Sequence, residues 1–254
     1  MYFNYTKFLK RGIMEKFLER TYKLIGDKVS ILQNSTIAVI GVGGVGGYVV
    51  EALARCGVGK LIIVDNDKVS LSNINRQIIA LNSTIGEYKV DVAEKRIKDI
   101  NPNCVVEKHK TFILKDTIND LQLDNCNYVV DAIDTISGKL EIIKKCKTNN
   151  INIISCMGTG NKIDPTAFMI KDIFDTKICP VCKVMRKLLK QNNISSLKVL
   201  YSIENPLTPL KLNNDDNEIV PASISFVPSV AGLLIANEVV KDLTKFYGNG
   251  KNFS

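Results

Sequence analysis

Six residues, Gly41-Val42-Gly43-Gly44-Val45-Gly46, separate an apolar run at 36–40 from a helical stretch at 44–56, and they constrain the fold more than any other feature. Glycines in such a turn let the backbone approach a ligand closely, and the following helix aims its first N–H groups at it. A second apolar run at 61–64 ends at Asp65, near the place where an acidic residue reaches ribose hydroxyls, about 20 residues beyond such a loop. Strand, glycine turn, helix, strand and acid therefore predict an α/β nucleotide site. The same features would suit a nicotinamide dehydrogenase. The polar segment Ser72-Asn73-Ile74-Asn75-Arg76-Gln77 argues against that reading, because hydride transfer leaves Asn73, Arg76 and the later Lys89 without roles.

The alternation continues to residue 155. Strands are expected at 36–40, 60–64, 104–109, 128–131 and 151–155, with helices at 44–56, 88–99, 116–122 and 137–148. Gly57 suits a left-handed helix stop and Asn101-Pro102 ends the helix before it. Strands alternating with helices imply a mainly parallel, Rossmann-like sheet with helices on both faces, whose ligands bind at the carboxyl ends of the strands. Beyond it, 165–175 reads as a short strand and turn, 180–191 as a helix, 196–203 and 219–226 as two strands, and 229–243 as a last apolar helix. The Asn-, Asp- and Pro-rich stretch 205–217 reads as a mobile loop and 248–254 as a frayed tail. This is one domain over 1–254, with a helical segment at 1–34 and an irregular C-terminal extension that holds a basic insertion and loop at 176–218.

Composition narrows the partners. With 45% hydrophobic and 24% charged residues the chain is an ordinary globular one, and its net charge of +8 suits a polyanionic partner. The first 20 residues mix Lys7, Lys10, Arg11, Lys16 and Arg20 into short apolar steps, unlike a secretory signal, and either Met1 or Met14 could be the start. The apolar stretch 226–240 is too short and polar to span a bilayer, so no membrane role is expected. Seven cysteines without a secretory signal point to reduced thiols in the cytoplasm. Cys179-Pro180-Val181-Cys182 is half of a structural zinc site, and His109, the single histidine, lies in a strand too far away to complete it. No carboxylate or nucleophile is expected beside His109, and Arg96 and Lys98 read as the solvated face of their helix. Asp67 could serve the ligand or simply cap the turn after Asp65.

Taken in order, Gly41 to Gly46, Asp65-Asn66-Asp67, Ser72 to Gln77, Gly86 with Lys89, and Asp131-Ala132-Ile133-Asp134-Thr135 resemble the adenylation core of the E1-like superfamily, which includes the activators of sulfur-carrier proteins. Further on, Ser155 to Pro165, Val184-Met185-Arg186-Lys187 and Ser225 to Gly232 resemble its tRNA threonylcarbamoyladenosine dehydratase branch. The resemblance implies an E1-type adenylation fold, a homodimer, ATP and Mg²⁺ as cofactors, and tRNA carrying threonylcarbamoyladenosine as partner. A cysteine desulfurase or sulfur-acceptor system could also assist. It implies a nucleotide site of Gly41, Gly43, Gly44, Gly46, Asp65, Asp67, Asn73, Asn75, Arg76, Gln77, Lys89, Asp134 and Thr135, with Asp134 as the metal anchor and Arg20 reaching a neighbouring subunit's phosphates.

These residue types suit adenylation. Attack of a carboxylate on the α-phosphorus of ATP develops charge on phosphate oxygens, which needs fixed cations and donors. Arg76 offers a two-pronged fork and Lys89 a compact charge. Asn73 donates without adding charge, and one or two carboxylates such as Asp134 suffice for Mg²⁺ among phosphates. The activators of sulfur carriers usually hold two Cys-x-x-Cys pairs, and this chain has one. It has instead a stretch from Thr176 to Ile203 without an acidic residue, where Lys183, Arg186, Lys187 and Lys190 are candidate RNA contacts. Cys156, Cys179 and Cys182 have no base beside them in the sequence, so they read as unactivated thiols.

Overall fold

The computed structural model describes residues 13–210 and 221–246. Seven strands form one sheet: β1 Thr36–Ile40, β2 Lys60–Val64, β3 Val105–His109, β4 Tyr128–Asp131, β5 Ile153–Cys156, β6 Phe168–Asp172 and β7 Lys198–Ser202. Their order is β3-β2-β1-β4-β5-β7-β6, with every pairing parallel except β6 against β7. β1, β2 and β4 are apolar and buried almost throughout, as a strand covered on both faces must be. The helices are α1 Glu19–Ile25, α2 Val29–Gln33, α3 Gly46–Arg55, α4 Lys89–Ile100, α5 Ile136–Thr148, α6 Pro180–Gln191 and α7 Phe226–Thr244.

Alternate residues of each strand enter two different cores. Ile37 and Val39 of β1 pack with α3, α4 and α7, whereas Ala38 and Ile40 pack with α5 and α6. The order reverses between β1 and β4, and such a reversal opens a crevice at the carboxyl ends of the strands. The glycine loop leaves β1 on one side of it, and the 132–135 loop leaves β4 on the other.

Two expectations fail. In place of a helix at 116–122 there are two short 3₁₀ turns, Thr117–Asp120 and Leu123–Asn125, which tuck Ile118, Leu121 and Leu123 into the core. Residues 221–225 form no strand but an irregular strap, and Phe226 opens α7; the alternation of Ala222, Ile224 and Phe226 had imitated a strand. Residues 219–220, most of the loop expected at 205–217, and the tail 248–254 lie outside the described residues.

Candidate adenylation site

The glycine loop turns on two contacts. Gly41 has φ +92°, a conformation that side chains disfavour. A Cβ on Gly46 would sit 1.8 Å from the Gly41 carbonyl oxygen, so α3 starts only as a glycine. Gly43 and Gly44 are half-buried and face the crevice, where a Cβ on Gly43 would meet nothing nearer than Gln77 Nε2 at 3.8 Å.

Asp65 is welded to this loop. Its Oδ2 accepts the Val42 N–H at 2.7 Å and its Oδ1 accepts the Asp67 N–H at 2.9 Å. The turn cap is thus Asp65 itself, which frees the Asp67 carboxylate to pair elsewhere, and its Oδ2 lies 2.6 Å from Lys89 Nζ. Lys89 is buried at the first position of α4, and its ammonium is 3.8 Å from Asp65. Burial raises the Asp65 pKa, opposed by the Lys89 charge and by the two N–H donors.

The Asn73–Gln77 segment crosses the mouth of the crevice. Asn73 Oδ1 accepts the Ser70 N–H at 3.1 Å in a capping box, which fixes the short turn Leu71–Asn73. Arg76 Nη1 donates to the Ser72 carbonyl and to Asn75 Oδ1, both at 2.9 Å, while its stem runs beside Gly44. Asn75 Nδ2 donates to the Ser223 carbonyl at 3.0 Å and so ties the segment to the strap before α7. Gln77 is 7% exposed, and its Oε1 is the one buried side-chain oxygen or nitrogen among the described residues without a hydrogen-bond partner. An orphaned amide beside a glycine cradle fits a site built for a polar ligand. Asp134, three residues beyond the end of β4, is exposed, with Thr135 half-buried beside it.

Residues 18–253 match the ThiF family. This chain belongs to the ThiF family. Among its relatives, the tRNA threonylcarbamoyladenosine dehydratase of Bacillus subtilis (strain 168) is 41% identical over 244 residues, covering 92% of this chain and 96% of that protein. The crystal structure of E. coli tRNA N6-threonylcarbamoyladenosine dehydratase in complex with ATP superposes with a TM-score of 0.83 at 29% identity, over 91% of this chain and 95% of that one. A ubiquitin-like modifier-activating enzyme 5 from Caenorhabditis briggsae is 38% identical over 133 residues, which are 51% of this chain and 27% of that protein. The expected fold, a mainly parallel E1-type adenylation fold, is the one observed.

Beneath this ThiF-family crevice lies a cluster that sequence reasoning passed over. Asp131, the last residue of β4, is fully buried and ion-paired to Lys139 of α5 at 3.1 Å. Lys139, 2% exposed, also donates to the Cys156 carbonyl at 2.6 Å, and Ser155 Oγ donates to Asp131. The four residues clamp the ends of β4 and β5 to α5, directly below the loops that carry Asp134 and Gly158. Only Lys139's place on the inner face of its helix could have signalled it.

Three readings need correction. Arg96 is not a solvated cation: its Nε and Nη2 hold Glu51 of α3 at 2.5 and 3.1 Å, and Arg55 holds the same carboxylate. Lys98 is exposed, as expected, and its Nζ donates to the Cys104 carbonyl at 2.7 Å. His109 does have a carboxylate neighbour, Glu107 at 2.9 Å, because residues two apart in a strand share a face. On α6, Lys183, Lys187 and Lys190 are exposed and spaced along one face, opposite buried Cys182, Met185 and Leu189. Arg186 instead turns inward and donates to the Thr176 hydroxyl and carbonyl.

Among the described residues no helix is long and apolar enough to cross a membrane, and no group of three or more His, Cys, Asp or Glu could hold a metal ion. Arg20 is exposed on α1, away from the crevice residues in sequence.

Proposed function

We propose that this chain is an ATP-dependent tRNA threonylcarbamoyladenosine dehydratase that works through an acyl-adenylate. The reading is supported by a glycine loop with the side chains of Arg76 and Gln77 packed beside it, in a chain alignable almost end to end with a dehydratase. The threonyl carboxylate of the modified adenosine attacks the α-phosphorus of ATP, and pyrophosphate leaves. The adjacent carbamoyl group then closes on the activated carbonyl and expels AMP, with the net loss of one water from the nucleoside. Both partners of the second step belong to one molecule, so high effective molarity replaces an enzyme nucleophile.

Each residue has a role in these steps. The Val42–Gly46 backbone and the start of α3 receive phosphate oxygens, and Asp65 receives the ribose. Arg76 and Lys89 counter the charge that develops as the α-phosphorus is attacked. Lys89 must first loosen from Asp67, so nucleotide and Asp67 compete for one ammonium. Asn73, Asn75, Gln77 and Thr135 complete the polar wall. Asp134 would hold Mg²⁺, which shields the triphosphate's charge when bound.

The exposed lysines of α6 supply a basic face for the tRNA backbone, with Arg186 reserved for internal bonds. Arg20 reaches the phosphates of a second subunit in a homodimer, and the enzyme works in the cytoplasm, in keeping with seven free cysteines. The cyclisation consumes no sulfur, so a cysteine desulfurase or sulfur-acceptor partner is assigned no step in it.

The test is direct. Protein, ATP-Mg²⁺ and threonylcarbamoyl-modified tRNA should yield AMP, pyrophosphate and a nucleoside lighter by one water. ATP binding with an unchanged nucleoside would overturn the assignment. Arg76→Ala and Lys89→Ala should each lower turnover about 100-fold. Mixing Arg20→Ala with Asp134→Asn chains should restore activity in half-sites if Arg20 acts across a dimer, and a strictly monomeric protein would remove that role.

A further inference from the structure

Three lysines are buried among the described residues: Lys89 at 6% exposure, Lys139 at 2% and Lys162 at 5%. A buried ammonium is costly unless an opposite charge answers it. Lys89 is answered by Asp67 and Asp65, and Lys139 by Asp131. Lys162 has no ion-pair partner among the described residues. Its Nζ donates to the Glu204 carbonyl at 2.7 Å, which uses one of the three N–H donors of an ammonium. The carboxylate of that same Glu204 is committed elsewhere, because it accepts the Ile163 N–H at 3.0 Å and the Asp164 N–H at 3.1 Å.

Lys162 lines a cavity of about 210 Å³, and its neighbour Asn161 stitches the walls together. Asn161 takes the left-handed conformation, φ +60°; its N–H donates to the Ala222 carbonyl and its Oδ1 accepts the Ala222 N–H, both at 2.7 Å. The Asn161 carbonyl accepts the Leu207 N–H, also at 2.7 Å. The loop after β5, the segment around Leu207 and the strap before α7 thus meet at one residue. Most of the remaining lining is apolar, with Ile163, Leu207, Pro209 and Ile224 around the single cation. Ser223 is in the lining too, and its carbonyl accepts the Asn75 side chain, so one wall of the cavity is tied to the segment that carries Arg76.

One unanswered cation in an apolar surround complements a small carboxylic acid with an aliphatic body. The volume is below the roughly 300–1,000 Å³ of sites that enclose a drug-sized ligand, so it suits a short side group rather than a whole nucleoside. We infer that Lys162 receives the carboxylate of the threonyl group on the modified adenosine, with the threonyl methyl against the apolar wall; the inference rests on the dehydratase reading above. In that reading Arg76 and Lys89 are engaged by phosphate oxygens, and the triphosphate repels an approaching carboxylate. A cation reserved for the acid offsets that repulsion and holds one carboxylate oxygen, leaving the other to attack the α-phosphorus. The new O–P bond forms as the bond from phosphorus to the pyrophosphate oxygen breaks, and no proton moves in this step.

The test uses the full chain and the free threonylcarbamoyladenosine nucleoside, as its acid and as its carboxamide, with binding followed by ligand-detected NMR. A hydrogen bond to a charged group is worth about 10- to 150-fold in affinity. Wild type should therefore prefer the acid by about 10-fold or more, and Lys162→Met should bind the two forms alike. Lys162→Arg should keep part of the preference. Calorimetric ATP affinity should stay within about twofold in both variants. Lys162→Met removes a charge that has no partner, so its Tm should stay within a few degrees of wild type; Lys162→Gln serves the same comparison if the methionine chain melts early. Equal affinity of wild type for acid and carboxamide would overturn the inference, as would a preference that survives in the methionine or glutamine variant. Loss of ATP binding in a folded variant would overturn it too, by placing Lys162 in the nucleotide site. A Lys162-dependent preference for the acid, in a protein that leaves modified tRNA unchanged in the presence of ATP, would uphold the subsite and count against the dehydratase reading instead.

Discussion

Replacing Gly43 and Gly46 separately with alanine distinguishes a loop built for a ligand from one built only to turn. At Gly43 the new Cβ has only Gln77 Nε2 nearby, at 3.8 Å, and the backbone is not left-handed. Folding should therefore lose nothing and can gain about 0.4–1 kcal/mol through the less flexible unfolded chain. In a protein of this size 1 kcal/mol moves Tm by about 2–4 °C, so Gly43→Ala should melt within a few degrees of wild type. The methyl group projects into the space that phosphate oxygens need. Loss of one hydrogen bond to a charged group removes about 1.5–3 kcal/mol, which is about 10- to 150-fold in ATP affinity. At Gly46 the outcome reverses, because a Cβ 1.8 Å from the Gly41 oxygen and 2.9 Å from its carbon must push backbone against backbone. That clash should cost about 3 kcal/mol or more, a fall in Tm of at least about 6 °C. Calorimetric titration with ATP and thermal melts of both variants decide the matter. A Gly43→Ala protein that binds ATP within twofold of wild type would refute the cradle, and an unchanged Tm for Gly46→Ala would refute the packing.

Lys139→Met should strand the Asp131 carboxylate in the interior and lower stability by about 3–5 kcal/mol in urea denaturation, with Lys139→Arg recovering part of it. Charge reversal of Lys183, Lys187 and Lys190 should weaken tRNA binding and flatten its log–log salt dependence by roughly two to three units, measured by filter binding; Arg186→Ala should chiefly reduce stability. Burial raises the Glu51 pKa, but Arg96 and Arg55 outweigh it and hold the carboxyl below its usual 4.5. Its contribution to stability is therefore present above pH 4.5 and is lost as pH falls through the depressed folded value, and Glu51→Gln should flatten that acid limb of the urea midpoint.

How far the fold could be read in advance depended on the distance over which each signal acts. β1, β2 and β4 were legible because burial on both faces makes a strand an unbroken apolar run with sharp ends. α6 was legible at its start because Pro180 suits the first helical position. The strap at 221–225 misled because spaced apolar residues along an extended chain look alike whether or not a neighbour pairs with them. Glycine loop, Asp65, Arg76 and Lys89 were visible as local motifs, yet nothing local announced that Lys89 would bond Asp67, or that Gln77 would be buried with an orphaned oxygen. The Asp131–Lys139 and Glu51–Arg96 pairs join different elements, so only the packed structure reveals them.

The contact between the last helix and the glycine loop also sets the order in which the molecule can be made. Pro228 of α7 comes within 3.2 Å of where a Cβ on Gly44 would lie, Gly232 is seated against the Val45 carbonyl, and Ser223 receives the Asn75 side chain. The loop is synthesised early, but this wall arrives about 180 residues later, roughly 9–36 s at ordinary elongation rates. Until then Val45, Val49 and the outer side of α3 face solvent or a chaperone rather than α7. A growing chain therefore holds a nucleotide loop without its wall until α7 has been made.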